Sequence, residues 1–249
     1  MSRVRLDRDG PVARLTLNRP EVLNAGDAEW VRDLNAAVKE LGTLASRVVV
    51  VTGAGRAFCT GVDLKALAAE QFHLEDFIAW EDAMTAMERM DALFIAAING
   101  YCLGGGLQLA LVCDYRLARA DAQLGLPAVK ERLIPSMSLY RLPRLIGLAR
   151  ALELILLGEP ITAGEAERIG LVNRCVEPAD FETELTRTVE RFLALPQTTV
   201  AAGKRLTRQA FDLSFDEFRR RMEKEFAECL SSDEYRAAMA KLCAEQHQP

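Results

Sequence analysis

Three consecutive glycines, Gly104, Gly105 and Gly106, stand between an apolar run and a helix-forming run, and they constrain this chain more than any other feature. Residues 99–109 read Asn-Gly-Tyr-Cys-Leu-Gly-Gly-Gly-Leu-Gln-Leu. Residues 94–98 have the composition of a buried strand, and residues 107–112 that of a helix. The pattern predicts a strand that ends in a tight glycine turn opening a helix. The first amides of a helix have no intrahelical acceptor and lie at its positive end. With no side chains at the three glycines, a ligand oxygen can reach those amides. Such a backbone cradle is half of an oxyanion hole.

The second half has a candidate upstream. Residues 48–51 are all valine and read as a buried strand, ended by Thr52-Gly53-Ala54-Gly55. Arg56-Ala57-Phe58-Cys59-Thr60-Gly61-Val62-Asp63-Leu64-Lys65 follows. Gly61 permits close backbone approach, so the amide of Val62 can point at the same oxygen. A dinucleotide-binding reading of the Gly53/Gly55 turn is set aside, because the third glycine at the needed spacing is missing.

The rest of the first half alternates strands and helices. Residues 4–6 and 12–17 flank an Asp-Gly turn and predict a hairpin. Residues 27–43 carry Trp30, Val31, Leu34, Val38 and Leu41 at helical spacing. Residues 64–92 predict helix interrupted near His73, and residues 115–119 a further strand. This alternation is that of an α/β fold. The last third is helical. Thr162 with Glu165, and Ser214 with Glu217, have the capping-box form. Phe215, Phe218, Met222, Phe226 and Leu230 form one apolar stripe, read as core or subunit contact.

Charge and cysteine usage exclude some functions. A net charge of −5 argues against a general binder of nucleic acid or membrane, which needs a basic surface. Six cysteines without a CxxC pair read as reduced, mostly buried thiols. With two histidines and no His/Cys cluster, no metal site is expected. The start, Met-Ser-Arg-Val-Arg-Leu-Asp, has no apolar signal core, and no run approaches 18 apolar residues. The expected location is cytoplasmic.

Four motifs, in order, carry a resemblance. They are the two glycine segments, Leu17-Asn18-Arg19-Pro20-Glu21-Val22-Leu23-Asn24-Ala25, and the stretch from Gly158 through Thr162 and Gly170 to Val172. Together they resemble the enoyl-CoA hydratase/isomerase (crotonase) superfamily. The resemblance implies a spiral of ββα units with a helical C-terminal region. It divides the chain into a core, residues 1–195, and a region 196–249 that packs on the core or a neighbouring subunit. A homotrimer or dimer of trimers is implied. So is an acyl-CoA thioester substrate, with coenzyme A present only as part of that substrate and no other cofactor. By the same resemblance, the amides of Val62 and Gly105 hold the thioester oxygen. Contacts to coenzyme A fall at Leu23, Ala25, Ala57, Cys59, Asp63, Leu64, Lys65 and Gly104. The polyanionic ligand needs a local basic patch, for which Arg19, Lys65, Lys204, Arg205 and Arg208 are candidates.

Two positions depart from the family pattern. Hydration across a conjugated double bond uses two carboxylates. The family's first glutamate lies two residues after the glycine triplet, where this chain has Gln108. The second follows the proline of a segment matching Leu124-Gly125-Leu126-Pro127, where this chain has Ala128. An amide takes no proton at neutral pH, though it can orient a water or a carbonyl. Three other residues are candidates for the proton chemistry. Glu131 is three residues past Ala128, and reads as a base or as a surface ion-pair partner. Ser136 falls where family members place varied functional residues, and reads as a hydrogen-bond donor to substrate or as a turn. Tyr140 is nearby. Glu81 is a base or part of a solvated helix face. Asp63 is expected to anchor the turn after the Val62 amide. These substitutions favour isomerase, decarboxylase or hydrolase-type chemistry on a stabilised thioester enolate. The alternatives are a residual enoyl-CoA hydratase and a non-catalytic acyl-CoA-binding protein.

Overall fold

The computed structural model describes residues 2–246. Strands β1 (Val4–Asp9) and β2 (Val12–Leu17) form the expected antiparallel hairpin, and Asp27 caps helix α1 (Ala28–Leu41). From there each turn of chain adds one strand to each of two sheets. β3 (Val48–Gly53) is followed by β4 (Ala57–Cys59), and helices α2 (Leu64–Ala68) and α3 (Leu74–Arg89) complete that turn. β5 (Leu93–Ile98), β6 (Tyr101–Leu103) and α4 (Gly105–Val112) make the next. β7 (Tyr115–Arg119) and β8 (Gln123–Gly125) follow, then a 3₁₀ turn at Pro127–Glu131 and helices α5 (Ser138–Ile146) and α6 (Leu148–Leu157). β9 (Ile161–Thr162), α7 (Ala163–Arg168), β10 (Arg174–Val176) and α8 (Phe181–Leu193) close the series. The larger sheet runs β1-β2-β3-β5-β7-β10, and the smaller β4-β6-β8-β9. This is the α/β spiral of ββα units.

Strand periodicity sets the core. Leu15, Leu17, Val49, Val51, Phe94, Ala96 and Ile98 point to one face of the larger sheet, where Trp30, Leu34, Val38, Met84 and Met87 of α1 and α3 cover them. The intervening Val48, Val50, Ile95 and Leu117 are also buried, so the central strands are apolar on both faces.

The sequence pattern placed the glycine turn directly after the strand at 94–98, and the structure differs. Asn99 ends that strand: its side-chain amide donates to the carbonyls of Gly53 and Gly55, each at 2.9 Å, and its Oδ1 accepts from Gly53 N at 3.2 Å. The chain then enters β6, and only after Leu103 do the glycines open α4. The loop expected between β3 and Asp63 likewise holds β4. Strands of three residues show no period.

One compact unit ends at Val189, and a second begins at Glu190. The second holds helices α9 (Gln197–Gln209), α10 (Phe215–Leu230) and α11 (Asp233–Gln246). Arg205 pairs with Glu225 at 2.6 Å, tying α9 to α10. The Ser214/Glu217 capping box forms in full, while Thr162 makes only its own half, accepting from Glu165 N. The apolar stripe on α10 is not core: no residue of that helix is buried, and Phe215 and Phe226 are 80% and 61% exposed. Of the six thiols, Cys59, Cys102 and Cys113 are buried, Cys175 and Cys229 partly, and Cys243 is exposed. Among the described residues no helix is long and apolar enough to cross a membrane, and no cluster of three or more His, Cys, Asp or Glu could hold a metal ion.

Candidate active site

The two glycine segments meet where β4 and β6 pair. Gly61, at φ +94°, lies so close to the start of α4 that a Cβ there would fall 2.9 Å from the Gly105 nitrogen. Gly106 sits against β4, and a Cβ on it would fall 2.0 Å from the Cys59 carbonyl oxygen. No larger residue fits either position without moving backbone. The peptide leading into Val62 therefore lies against the Gly105 amide.

The direction of the Val62 amide follows from its neighbours. Gly26 N donates to Gly61 O and Asp63 N donates to Gly26 O, both at 2.8 Å, a one-residue parallel bridge between Gly26 and Val62. In such a bridge the flanking groups bond across, and the central residue turns its own N–H to the opposite side. Gly105 is the first residue of α4, so its amide has no intrahelical acceptor. Among the described residues neither amide has an acceptor. Both segments are half-buried here, with Val62, Gly104 and Gly105 between core and surface.

Trp80 completes the wall, and the sequence reading missed it. A Cβ on Gly105 would lie 2.8 Å from its Cη2, and one on Gly26 2.8 Å from its Cζ3. It stacks at a tilt on Trp30, with ring centroids 4.6 Å apart. The available signal was that these are the chain's two tryptophans, on two helices that had to be packed together.

Gln108 lies one turn into α4 and is only 9% exposed. Its amide group has no hydrogen-bond partner among the described residues and is not among the solvent-sealed polar atoms, so it borders open space. A hydrogen bond from Gly104 N to Gly125 O, 2.9 Å, brings the start of α4 beside the segment carrying Ala128 and Glu131. Ala128 is buried at 8% exposure. Glu131 ends the 3₁₀ turn, is exposed, and makes no ion pair among the described residues, against the surface-pair reading. Neighbouring atoms nonetheless desolvate its carboxyl and raise its pKa above the usual glutamate value.

Ser136 is half-buried at φ +40°, in the turn before α5, and its carbonyl accepts from Leu139 N at 3.2 Å. Tyr140 is exposed beneath the Arg144 guanidinium, 3.4 Å from the ring centroid. Glu81 is held away from solvent. Its Oε1 takes a 2.6 Å ion pair from Arg141 and a 3.1 Å bond from Thr85, and its Oε2 is sealed without a partner. Arg141 also pairs with Glu88 at 3.0 Å. Burial alone lowers the pKa of Arg141, but hydrogen bonds and charge from Glu81 and Glu88 outweigh it and hold the guanidinium protonated. Glu81 thus braces α3 against α5, its side chain only 17% exposed.

The remaining predicted contacts fall around the Val62 segment. Asp63 caps α2, accepting from Lys65 N at 3.1 Å and Ala66 N at 3.4 Å, as the sequence suggested. Leu64 and Lys65 are exposed at that helix start. Ala57 and Cys59 are fully buried, backbone as well as side chain, so neither presents a surface to a ligand, against the contacts expected there. Burial pushes the Cys59 thiol up to about 12, so it stays protonated. The carbonyl of Leu23 accepts from Thr60 N at 3.2 Å, and that of Ala25 from Arg19 Nη1 at 2.5 Å. Arg19 and Arg205 are committed to carboxylates, which takes them out of a free basic patch.

A family model described as enoyl-CoA hydratase/isomerase matches residues 7–249. The chain belongs to the enoyl-CoA hydratase/isomerase family. A probable enoyl-CoA hydratase of Rhizobium meliloti (strain 1021) is 33% identical over 247 residues, covering 97% of this chain and 95% of the relative. A short-chain-enoyl-CoA hydratase of Clostridium acetobutylicum is 30% identical over 96% of this chain and 94% of its own length. The crystal structure of an enoyl-CoA hydratase from Mycobacterium smegmatis superposes with a TM-score of 0.93 at 30% identity, covering all of this chain and 98% of that one. The ββα spiral is therefore a crotonase fold. Within this family the chain combines a tightly built amide pair with Gln108 on the helix that Gly105 opens and Ala128 on the neighbouring segment.

Proposed function

We propose that this family member is an acyl-CoA enzyme that stabilises a thioester enolate between the amides of Val62 and Gly105. One observation carries the reading: two backbone N–H groups without acceptors are forced together by glycines that nothing larger can replace. Each such donor is typically worth ~10²–10³ in rate. Gln108 orients a water or a substrate carbonyl, and its unpartnered amide at the edge of open space supports that role. Ala128 supplies nothing to a proton. Glu131 is the carboxylate best suited to move one, since Glu81 is tied up with Arg141. Chemistry with light proton-transfer demands then fits best: double-bond isomerisation, decarboxylation, or hydrolysis through an oriented water. Coenzyme A enters as part of the substrate, and no further cofactor is called for. The work is done in the cytoplasm by a homotrimer or dimer of trimers, a state supported by the exposed stripe of Phe215, Met222, Phe226 and Leu230. Sedimentation of the full chain tests that state.

The names of the relatives favour a second reading, residual hydration of an enoyl-CoA. A mass-spectrometric time course in deuterated water, with crotonyl, 3-enoyl, malonyl-type and β-keto thioesters of coenzyme A, separates the two. Deuterium at the α- or γ-carbon, or release of CO₂ or coenzyme A, without net hydration supports the first. A hydrated product supports the second. Binding without exchange or turnover overturns both and leaves a non-catalytic acyl-CoA-binding protein.

A further inference from the structure

The Val62 amide is a backbone donor, so its aim depends on what fixes the backbone around it. That backbone is unusual. Leu23 and Asn24, just before the Gly26 bridge to Val62, are both left-handed, at φ +57° and +60°. Non-glycine residues persist in that region only where their surroundings enforce it. Something must hold the loop.

Asn24 is held by its own buried side chain, whose Nδ2 donates to Ala54 O at 2.9 Å and Ala57 O at 2.8 Å and whose Oδ1 accepts from Arg19 N at 2.8 Å. The Arg19 side chain fixes the residues that follow. Its guanidinium is only 13% exposed. Nη1 donates to Ala25 O at 2.5 Å, while Nη2 lies 3.2 Å from Asp27 Oδ2 and 3.3 Å from Asp63 Oδ2. Asp27 caps α1 and Asp63 caps α2, so one side chain ties together the starts of two helices. Ala25 immediately precedes the residue that bridges to Val62, and Asp63 immediately follows Val62. Arg19 therefore grips the segment bridged to Val62, on both sides of Gly26, and the residue that follows Val62. Resting on the function proposed above, we propose that Arg19 is a positioning residue. It holds the Val62 N–H at the angle a thioester oxygenate requires, and does not bind the phosphates of coenzyme A.

The charge count supports this assignment. One guanidinium faces two carboxylates, and Arg3 shares Asp27, so no positive charge is left over for an anionic ligand. The planar fork also matters: lysine keeps the charge but cannot reach a carbonyl and two carboxylates in one plane.

The test uses the full chain with a conjugated arylacryloyl thioester of coenzyme A, whose absorption moves to longer wavelength when its carbonyl is polarised. Wild type, Arg19→Lys, Arg19→Met and Asp63→Asn are compared at saturating ligand, with thermal melts to establish folding. The expected result is a red shift in wild type, reduced at least twofold in both Arg19→Lys and Asp63→Asn. Exchange of the α-proton of a saturated acyl thioester of coenzyme A in deuterated water should fall ~10-fold or more in kcat with KM changed less than ~3-fold, since misplacing one donor forfeits part of its ~10²–10³. If Arg19→Met does not fold, the other two variants carry the test. A folded Arg19→Lys with the full shift and unchanged kcat overturns the positioning role. So does a loss confined to KM, which marks a phosphate contact. A wild type with bound ligand but no shift overturns the oxyanion reading itself, and the positioning role with it.

Discussion

The two walls of the site are built by different means. The wall carrying Val62 and Gly105 is made of backbone, shaped by Gly61 on the Gly105 amide, Gly106 on the Cys59 carbonyl and Gly26 on both sides of Val62, with the Arg19 side chain bracing it from behind. The second wall of the proposed site, with Gln108, Ala128, Glu131 and Ser136, is made of side chains on a helix, a 3₁₀ turn and a loop. A backbone wall changes only if the fold changes. A side-chain wall changes by single substitutions that leave the fold alone. The contrast allows a chain to keep the family's fold while carrying Gln108 and Ala128 where the resemblance implies carboxylates. It also predicts that the second wall can be rewritten and the first cannot.

Rewriting the second wall gives the largest effect. Gln108→Glu with Ala128→Glu supplies two carboxylates beside the intact amide pair. Hydration of crotonyl-CoA, followed by loss of absorbance of the conjugated thioester, should rise by ~10²–10⁴, the range for general acid–base groups. Both positions are about nine-tenths buried, so the same variant should melt lower than wild type. A folded double variant with no gain in hydration would mean that the walls do not face one substrate, and the comparison would fail.

Breaking the first wall comes next. Gly106→Ala puts a methyl 2.0 Å from a backbone oxygen that cannot move independently of β4. A loss of about 3 kcal/mol is expected in denaturant unfolding. Gly203→Ala is the opposite case. That glycine lies within α9 with nothing within 4 Å of its Cβ position, so alanine should stabilise by roughly 1 kcal/mol through helix propensity. Equal effects at the two glycines would remove the steric argument for the backbone wall.

What the sequence made legible follows the same division. The strand–glycine–helix order of residues 94–112 can be read from composition, because a glycine triplet between apolar runs has few structural solutions. The Val62 turn and the Asp63 cap lie within ten residues of each other and of Gly61, so local rules reach them. The short strands Ala57–Cys59 and Tyr101–Leu103 were invisible, since three residues carry no periodicity and their pairing is decided by neighbours more than 40 residues away. Long-range polar contacts were equally hidden. Arg19 looked like surface charge until its partners Asp27 and Asp63 were placed beside it. The pairing of Glu81, one of the candidate bases, with Arg141, 60 residues on, was hidden in the same way. Which carboxylate meets which guanidinium depends on helix packing, and no local pattern encodes it.

The smallest expected effect bears on Glu131. Partial burial raises the Glu131 pKa in the folded chain above its unfolded value. Its neutral form is therefore the one the fold favours. The stabilising difference is fully present below the ordinary glutamate pKa and is lost as pH rises through the higher folded value. Glu131→Gln removes that dependence. Between pH 3.5 and 7, on the order of the range where glutamates titrate, the variant should gain stability relative to wild type as pH rises, by a small amount because the side chain is largely exposed. The stability difference alone marks only a crowded surface carboxyl. Catalysis decides between the two roles. If Glu131 moves the proton, the acid limb of kcat/KM for α-exchange lies above the usual glutamate value in wild type, and Glu131→Gln loses the exchange itself. If the variant keeps both the exchange rate and the acid limb, the second wall has no base at all. The amide pair then works with water alone.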